Sequence, residues 1–422
     1  MARIKRCVPV VLALLLSTLA FSQEETDDKI IRENPEIETG NFSDDELTTV
    51  TLSEYPFLNT GANVVSLNGA DWTNLSLALA DTEDKVLRIV HIGDSHIQAD
   101  MGTGYTRRMM QHRFGSAGRG LVVPLKLAGT NEPRDYIISS TSSFDCEKLL
   151  ANPWTLPMGF TGVSVSPKEK EFDFTLSTHE AFERIYIYYT GSVLNVMSVE
   201  YDGKSLVYAV NDEIGCVCVG LPFPCEEVTV KLSAFGDIAI HGMELVSDMI
   251  GVAYHAIGIN GATYSCYNRI ADFGRAIAML EPQLIIVSLG TNEAFGRLDS
   301  NEFVRQVDTL VSELRTNNPE ACLLLTTPAE CQRRIRQRRK ASYSVNQNVA
   351  EVRNLIMDYG SANGIPVYDW YAASGGTGSS DKWVNAGLFS HDRIHCSVNG
   401  YEVAGQMFYD ALMNTLVLND IE

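Results

Sequence analysis

Residues 86–95, VLRIVHIGDS, decide the fold. The run from Val86 to Ile92 is dominated by apolar and β-branched residues without polar alternation. Such a run reads as a strand covered on both faces. Gly93-Asp94-Ser95 then places a small polar turn at the strand's carboxyl end, and helical spacing follows over residues 102–114. In a parallel α/β sheet, chemistry gathers beyond the carboxyl ends of the strands. Ser95 therefore stands where a reactive side chain belongs.

The same alternation returns near residue 250. GVAYHAIGI (251–259), QLIIVSLG (283–290), ACLLLTTP (321–328) and GIPVYDW (364–370) read as further central strands. Stretches beginning at Tyr264, Ser300, Ser344 and Asn399 carry helical spacing. Strands alternating with helices predict a doubly wound parallel sheet. Between the two parts, residues 126–249 change character. EFDFTLS (171–177), RIYIYYT (184–190), NVMSVEY (195–201) and SLVYAVND (205–212) show period-two patterning, with Asp202-Gly203 as a hairpin signal. The expectation is an all-β sandwich inserted into the α/β domain, which is thereby split into residues 50–125 and 250–422.

The chain has 422 residues, 45% hydrophobic and 20% charged, a globular composition large enough for two cores. Residues 1–22 combine Arg3, Lys5 and Arg6 with an apolar run from Val8 to Phe21 and small residues around Ser22. That pattern predicts a cleaved signal peptide and an exported protein, periplasmic or extracellular, with no integral membrane segment after cleavage. Residues 23–49 are acidic and read as a flexible leader. A net charge of −20 argues against nucleic acid and anionic lipid as partners. Eight of the nine cysteines lie beyond the signal and fit no metal-site spacing; they read as small buried hydrophobes with room for one or two disulfide bridges.

Four turns at expected strand ends carry the chemistry: Gly93-Asp94-Ser95-His96, Gly258-Ile259-Asn260-Gly261-Ala262, Gly290-Thr291-Asn292-Glu293, and His391-Asp392-Arg393-Ile394-His395. A serine hydroxyl needs a base, and an imidazole backed by a carboxylate supplies one. Asp392 and His395, three apart before the last helix, suit that pairing. Of the other histidines, His179 and His241 fall in the β region and His112 in a helix. His91, His96 and His255 have no acid placed like Asp392, and His391 is tied to it by a short link and stays in reserve. Ser95 is the expected nucleophile, His395 the base and Asp392 the acid behind it. The N–H groups of Ser95 and Gly261 and the Asn292 amide are the expected oxyanion donors. Asp94 is expected to brace its turn, His96 to line the cleft, and Asn260 to be structural.

These four turns resemble the sequence blocks of the GDSL/SGNH hydrolase superfamily. The resemblance implies a flavodoxin-like doubly wound sheet and a serine hydrolase acting on carboxylic esters, with no metal or organic cofactor. His96 departs from the usual leucine, and Glu293 stands where aspartate is common. GDSHIQAD (93–100), the following FGSAGRG (114–120), the Ile259-Asn260-Gly261-Ala262 block and the β insert together look like bacterial peptidoglycan O-acetylesterases, which carry a carbohydrate-binding-module-like β domain between the first two blocks. That narrower likeness implies an O-acetylated cell-wall glycan as substrate. The alternatives are an acetylesterase on another polysaccharide such as acetylated xylan, a metallophosphoesterase opening on Asp94-x-His96, or a non-catalytic glycan-binding protein.

Two further stretches have plain readings. GSAGRG (115–120) does not join a strand to a helix as a phosphate cradle would, and reads as a helix-ending loop. The basic run RRIRQRRK (333–340) reads as a solvated face, with binding of anionic wall polymer as the sharper alternative.

Overall fold

The computed structural model describes residues 50–213, 215–337 and 340–418; the expected signal peptide and acidic leader lie outside them. The chain begins with strand β1 (Val65–Ser66), helix α1 (Thr73–Ala80), strand β2 (Val86–Gly93) and helices α2 (Ser95–Gln98) and α3 (Met101–Phe114). Ten strands follow: β3 (Gly120–Val122), β4 (Tyr136–Ser139), β5 (Phe144–Lys148), β6 (Val163–Pro167), β7 (Glu171–Gly191), β8 (Leu194–Tyr201), β9 (Lys204–Ser205), β10 (Ala209–Glu213), β11 (Cys216–Ala234) and β12 (Ile238–Val246). Alternation resumes with β13 (Gly251–Gly258), α4 (Tyr264–Tyr267), α5 (Phe273–Ala278), β14 (Leu284–Ser288), α6 (Thr291–Phe295), α7 (Ser300–Asn317) and β15 (Cys322–Thr326). The chain closes with the hairpin β16 (Gln332–Gln337) and β17 (Lys340–Val345), then α8 (Gln347–Asn363), β18 (Val367–Tyr368), α9 (Trp370–Ala373), α10 (Ser379–Asn385) and α11 (Val398–Leu418).

Six strands form one sheet in the order β1-β18-β15-β14-β2-β13. Its five parallel strands, numbered by their own succession in the chain, lie in the lateral order 2-1-3-4-5, the flavodoxin-like arrangement. The expectation of a wholly parallel sheet is corrected at one edge, where β1 pairs antiparallel with β18, Val65 opposite Tyr368. A two-residue strand has no readable alternation, and it is fixed by tertiary bonds instead. Asn63 donates to the Met407 carbonyl and accepts from the Tyr368 hydroxyl.

The central strand β2 is buried as its composition demands, with Ile89, Val90 and Ile92 at 1% exposure or less. Helix α7 shows how the flanking layer is specified. Asp299 caps its first turn by accepting from the Asn301 and Glu302 N–H groups. Phe303, Val307, Leu310, Val311 and Leu314 form one apolar stripe, which joins Ile285, Val287 and Val352 in the core. On the opposite face α11 and α1 cover Leu87, Ile89 and Ile286.

The ten strands between α3 and β13 make a second, antiparallel sheet. EFDFTLS and RIYIYYT, expected as separate short strands, belong to the single 21-residue β7. It pairs with the 19-residue β11 from Glu171–Ser233 to Tyr188–Cys216, with register shifts around residues 220–227. Pro222 and Pro224 fall in that interval and cannot donate to a ladder. The Asp202-Gly203 hairpin forms as read, both residues at positive φ (49° and 69°) between Tyr201 and Lys204. The sheet also starts earlier than expected, because β3, at Gly120, already pairs with β12.

GSAGRG ends α3, as read. Gly118 sits at φ 105°, where a Cβ would lie 2.6 Å from the Ser247 nitrogen, so the chain passes β12 closely only with glycine there. Cys146, Cys225, Cys266, Cys322, Cys331 and Cys396 are free thiols, so no bridge forms among these six; Cys225 and Cys331 are buried.

Candidate active site

Register brings the distant turns to one rim. Gly93 at the end of β2 lies beside Gly258 of β13 and Ser288 of β14. The chain leaves all three strands at the same level, and Ser95, Gly261 and Asn292 follow within three or four residues. This crevice between β2 and β14, where the strand order reverses, is where such sheets bind ligands.

Asp94 and Ser95 form the turn from β2 into α2. Asp94 Oδ1 accepts from the His96 N–H at 3.0 Å, fixing the turn as expected of it. Across 300 residues of sequence, His395 Nε2 lies 2.8 Å from Ser95 Oγ. His395 Nδ1 lies 2.5 Å from Asp392 Oδ2. The other Asp392 oxygen accepts from the Ile394 N–H (2.9 Å), the His395 N–H (3.0 Å) and the Ser390 hydroxyl (2.7 Å). Burial alone would raise the Asp392 pKa. The bonds from His395, Ile394 and Ser390 outweigh it and hold the carboxyl well below the usual range. A carboxylate so held keeps the ring's Nδ1 protonated and leaves Nε2 facing the alcohol as acceptor.

His391, the reserve base, is exposed and contributes its carbonyl to the Tyr343 hydroxyl. His96 lies against His395, ring centroids 5.1 Å apart, with its Nδ1 3.1 Å from the Tyr401 hydroxyl. Burial, and then the neighbouring His395, push it down to about 3, so it stays neutral. The alternative built on Asp94 and His96 as a metal pair finds these side chains turned to different partners. His91, held between the Tyr254 hydroxyl (2.7 Å) and Ser288 Oγ (2.6 Å), is likewise pushed down to about 3 by burial. It lines a cavity of about 130 Å³ together with Asp94, His96, Ile394, Tyr401 and Phe408.

For the oxyanion donors, the N–H groups of Ser95 and Gly261 meet no acceptor among the described residues. Gly261 is at φ 78°, and a Cβ there would press within 2.8 Å of Leu150 Cδ1. The Asn292 amide donates to the Ala262 carbonyl at 2.9 Å and to Asp94 Oδ2 at 3.3 Å. It thus ties the β14 turn to both the β2 and β13 turns. Its neighbour Glu293 accepts from the Tyr264 N–H at 2.8 Å; burial still pushes its pKa up to about 7.

Two supports escaped sequence reading. Gln98, three residues after Ser95, accepts from the Asn260 N–H at 2.7 Å and donates to Thr130 Oγ1 and Asn131. It couples the helix bearing the alcohol to the turn bearing Gly261. Below it, Asp100 and Asp135 share Arg107 and Arg119 in a closed quartet, with both arginines buried. Asp100 and Arg119 stand in the two quoted blocks, GDSHIQAD and FGSAGRG. Their opposite charges in glycine-rich, largely uncharged surroundings were the signal available.

Residues 240–403 match the GDSL-like Lipase/Acylhydrolase family. A comparison with curated proteins gives no match. Among solved structures, a peptidoglycan O-acetylesterase superposes with a TM-score of 0.70 at 21% identity, covering 84% of this chain and 99% of its own. That likeness spans both sheets' share of the chain and shows a common fold. A lipase/acylhydrolase from Enterococcus faecalis (TM-score 0.30, 19% identity) covers 39% of this chain and 77% of its own. An acetyl xylan esterase (TM-score 0.31, 17% identity) covers 38% and 81%.

Proposed function

We propose that this chain is a serine ester hydrolase like those of the GDSL-like lipase/acylhydrolase family, whose model residues 240–403 match, and that it removes O-acetyl groups from a cell-wall glycan, peptidoglycan bearing O-acetylated muramic acid. The observation that carries the reading is the continuous line from Ser95 through His395 to Asp392, with links of 2.8 and 2.5 Å at the carboxyl ends of the strands. The peptidoglycan reading draws support from the solved O-acetylesterase that parallels the chain over 84% of its length. In this proposal residues 126–249 are an inserted carbohydrate-binding-module-like domain, with its first pairing strand at Gly120. Residues 1–22 direct export. Among the described residues, no helix is long and apolar enough to cross a membrane.

In the proposed mechanism His395 takes the Ser95 proton as Oγ attacks the acetyl carbonyl. The oxyanion is met by the N–H groups of Ser95 and Gly261 and by Asn292. The carbon–oxygen bond to the sugar breaks, and the sugar oxygen leaves with the proton from His395. Water, deprotonated by the same imidazole, attacks the acetyl-serine and releases acetate.

The test is acetate release from O-acetylated peptidoglycan beside acetylated xylan, with Ser95→Ala as control. Turnover of peptidoglycan lost in Ser95→Ala supports the reading. Preference for xylan moves the substrate, and turnover surviving Ser95→Ala removes the nucleophile.

A further inference from the structure

The turn that carries Gly261 is gripped from two sides by connections of the second, antiparallel sheet. On one side Asn260 Nδ2 donates to Asn131 Oδ1 at 2.8 Å, in the connection between β3 and β4. On the other side runs the connection between β5 and β6. There Gly162 passes Ile259 so closely that a Cβ would lie 2.6 Å from the Ile259 Cγ1. Leu149, which is buried, shares a core with Ile259 and Ala262.

The next residue, Leu150, lies on Gly261. Its Cδ1 occupies the place a side chain at 261 would take, 2.8 Å from an ideal Cβ. Both residues are half-buried, so Leu150 and the oxyanion glycine reach the surface side by side. The backbone around Leu150 is fixed. Arg269, between α4 and α5, donates to the Ala151 carbonyl at 2.7 Å and to the Leu149 carbonyl at 3.4 Å. Its guanidinium lies over the Trp154 ring at 4.1 Å, and Trp154 Nε1 donates to the Leu149 carbonyl at 3.2 Å. An apolar side chain held in this way is a wall.

Sheet order decides which part of an ester meets it. His395 comes to Ser95 from the side of β14 and β15, its loop being bonded through Arg393 to Gln332, which follows β15. The strand leading to Gly261, β13, is the sheet edge on the other side of β2. The leaving oxygen of an ester must face His395 to take its proton. With the carbonyl oxygen on the N–H groups of Ser95 and Gly261, the acyl chain then points away from His395, toward Leu150.

We propose that Leu150 is the specificity-determining residue of the acyl subsite, lent to the hydrolase site by the antiparallel sheet, and that it confines the acyl group to acetyl. The inference rests on the esterase reading and deepens it on the acyl side of the scissile bond. A methyl group ends short of the isobutyl branch. A longer chain runs into it, and the anchored backbone behind cannot give way. Exclusion of this kind is worth about tenfold or more in kcat/KM for each methylene.

The test is the chain-length profile on p-nitrophenyl acetate, propionate and butyrate, which share a leaving group and differ only in the acyl chain. The wild type should lose about tenfold or more in kcat/KM from acetate to butyrate. L150A should raise butyrate turnover about tenfold, with acetate changed by about threefold or less, and L150M, of similar volume, should keep the wild-type profile. Should circular dichroism find L150A unfolded, the smaller cut L150V carries the same comparison. An equal loss on all three esters would overturn the proposal, since Leu150 would then only hold Gly261 in place. A flat wild-type profile would also overturn it. A404L places a larger side chain in the cavity of about 130 Å³ beside Asp94 and His96. A profile shortened by A404L and unmoved by L150A would overturn the proposal in favour of that cavity. If the wild type shows no Ser95-dependent turnover of any of these esters, the esterase reading falls and the acyl subsite with it. If it turns them over yet releases no acetate from peptidoglycan, only the glycan reading falls, and the profile still decides Leu150.

Discussion

Asn292 holds one bond of ordinary length, to the Ala262 carbonyl, and one long bond of 3.3 Å to Asp94. The long bond is the one a developing oxyanion can draw on, since hydrogen bonds weaken toward that distance. Asn292→Ala should therefore lower kcat by about a hundredfold, with KM little changed. Steady-state kinetics on p-nitrophenyl acetate measure it, and a change confined to KM would contradict the donor role. Glu293, next along, titrates against the fold. Its folded-state pKa of about 7 exceeds the ordinary value of 4.5, so the folded protein binds the extra proton between those values. Its contribution is intact at low pH and lost as pH rises through about 7. Glu293→Gln should raise the thermal midpoint above neutrality, with the gain shrinking toward about pH 4.5; a pH series of thermal melts reads it. That Ser95, Asp392 and His395 meet was legible because the proposed reaction calls for their types and the turns after the strands give their places. Gln98 was not: one glutamine in a four-residue helix belongs to no period and no motif logic.

Elements were legible in proportion to their length and regularity. VLRIVHI could only be a central strand, and the stripe from Phe303 to Leu314 could only be a helix face. The two-residue β1 left no trace, and β7 read as two strands because its alternation lapses around residues 178–183 before resuming. What holds α2 to the turn after β13 is likewise a matter of contacts, not pattern. The Gln98 side chain meets acceptors on Thr130 and Asn131 and a donor on Asn260, on two segments distant in sequence. Gln98→Ala strands the Asn260 N–H and loosens the spacing between Ser95 and Gly261. The expected result is a kcat lower by about tenfold with a smaller change in KM, and a stability loss of about 1–3 kcal/mol. Kinetics and urea melts on one preparation separate the two effects. Unchanged kcat would show the tie to be structural alone.

Across the whole molecule, the quartet of Asp100, Asp135, Arg107 and Arg119 joins α2 and α3 to the segments flanking β3 and β4. Arg119 also donates to the Leu121 carbonyl and lies over the Tyr136 ring at 4.8 Å. Removing one cation leaves two carboxylates short of a partner in a buried setting. Arg119→Met should cost about 3–5 kcal/mol, seen as a markedly lower thermal midpoint by circular dichroism. A midpoint within a degree or so of wild type would show that water already serves those carboxylates. The split of the α/β fold by a β region was legible from the change of period alone, whereas the buried bonds across the junction have no sequence period to announce them. The catalytic line reaches across still more of the chain, with alcohol and imidazole 300 residues apart. A ribosome making this protein delivers the alcohol 300 residues before the imidazole. A growing chain therefore remains inert toward esters, however well its first strands have paired, until the loop before the final helix has emerged and settled. Proteolytic loss of that closing segment would remove His395 together with α11, and would uncover Leu87, Ile89 and Ile286 on that face of the sheet.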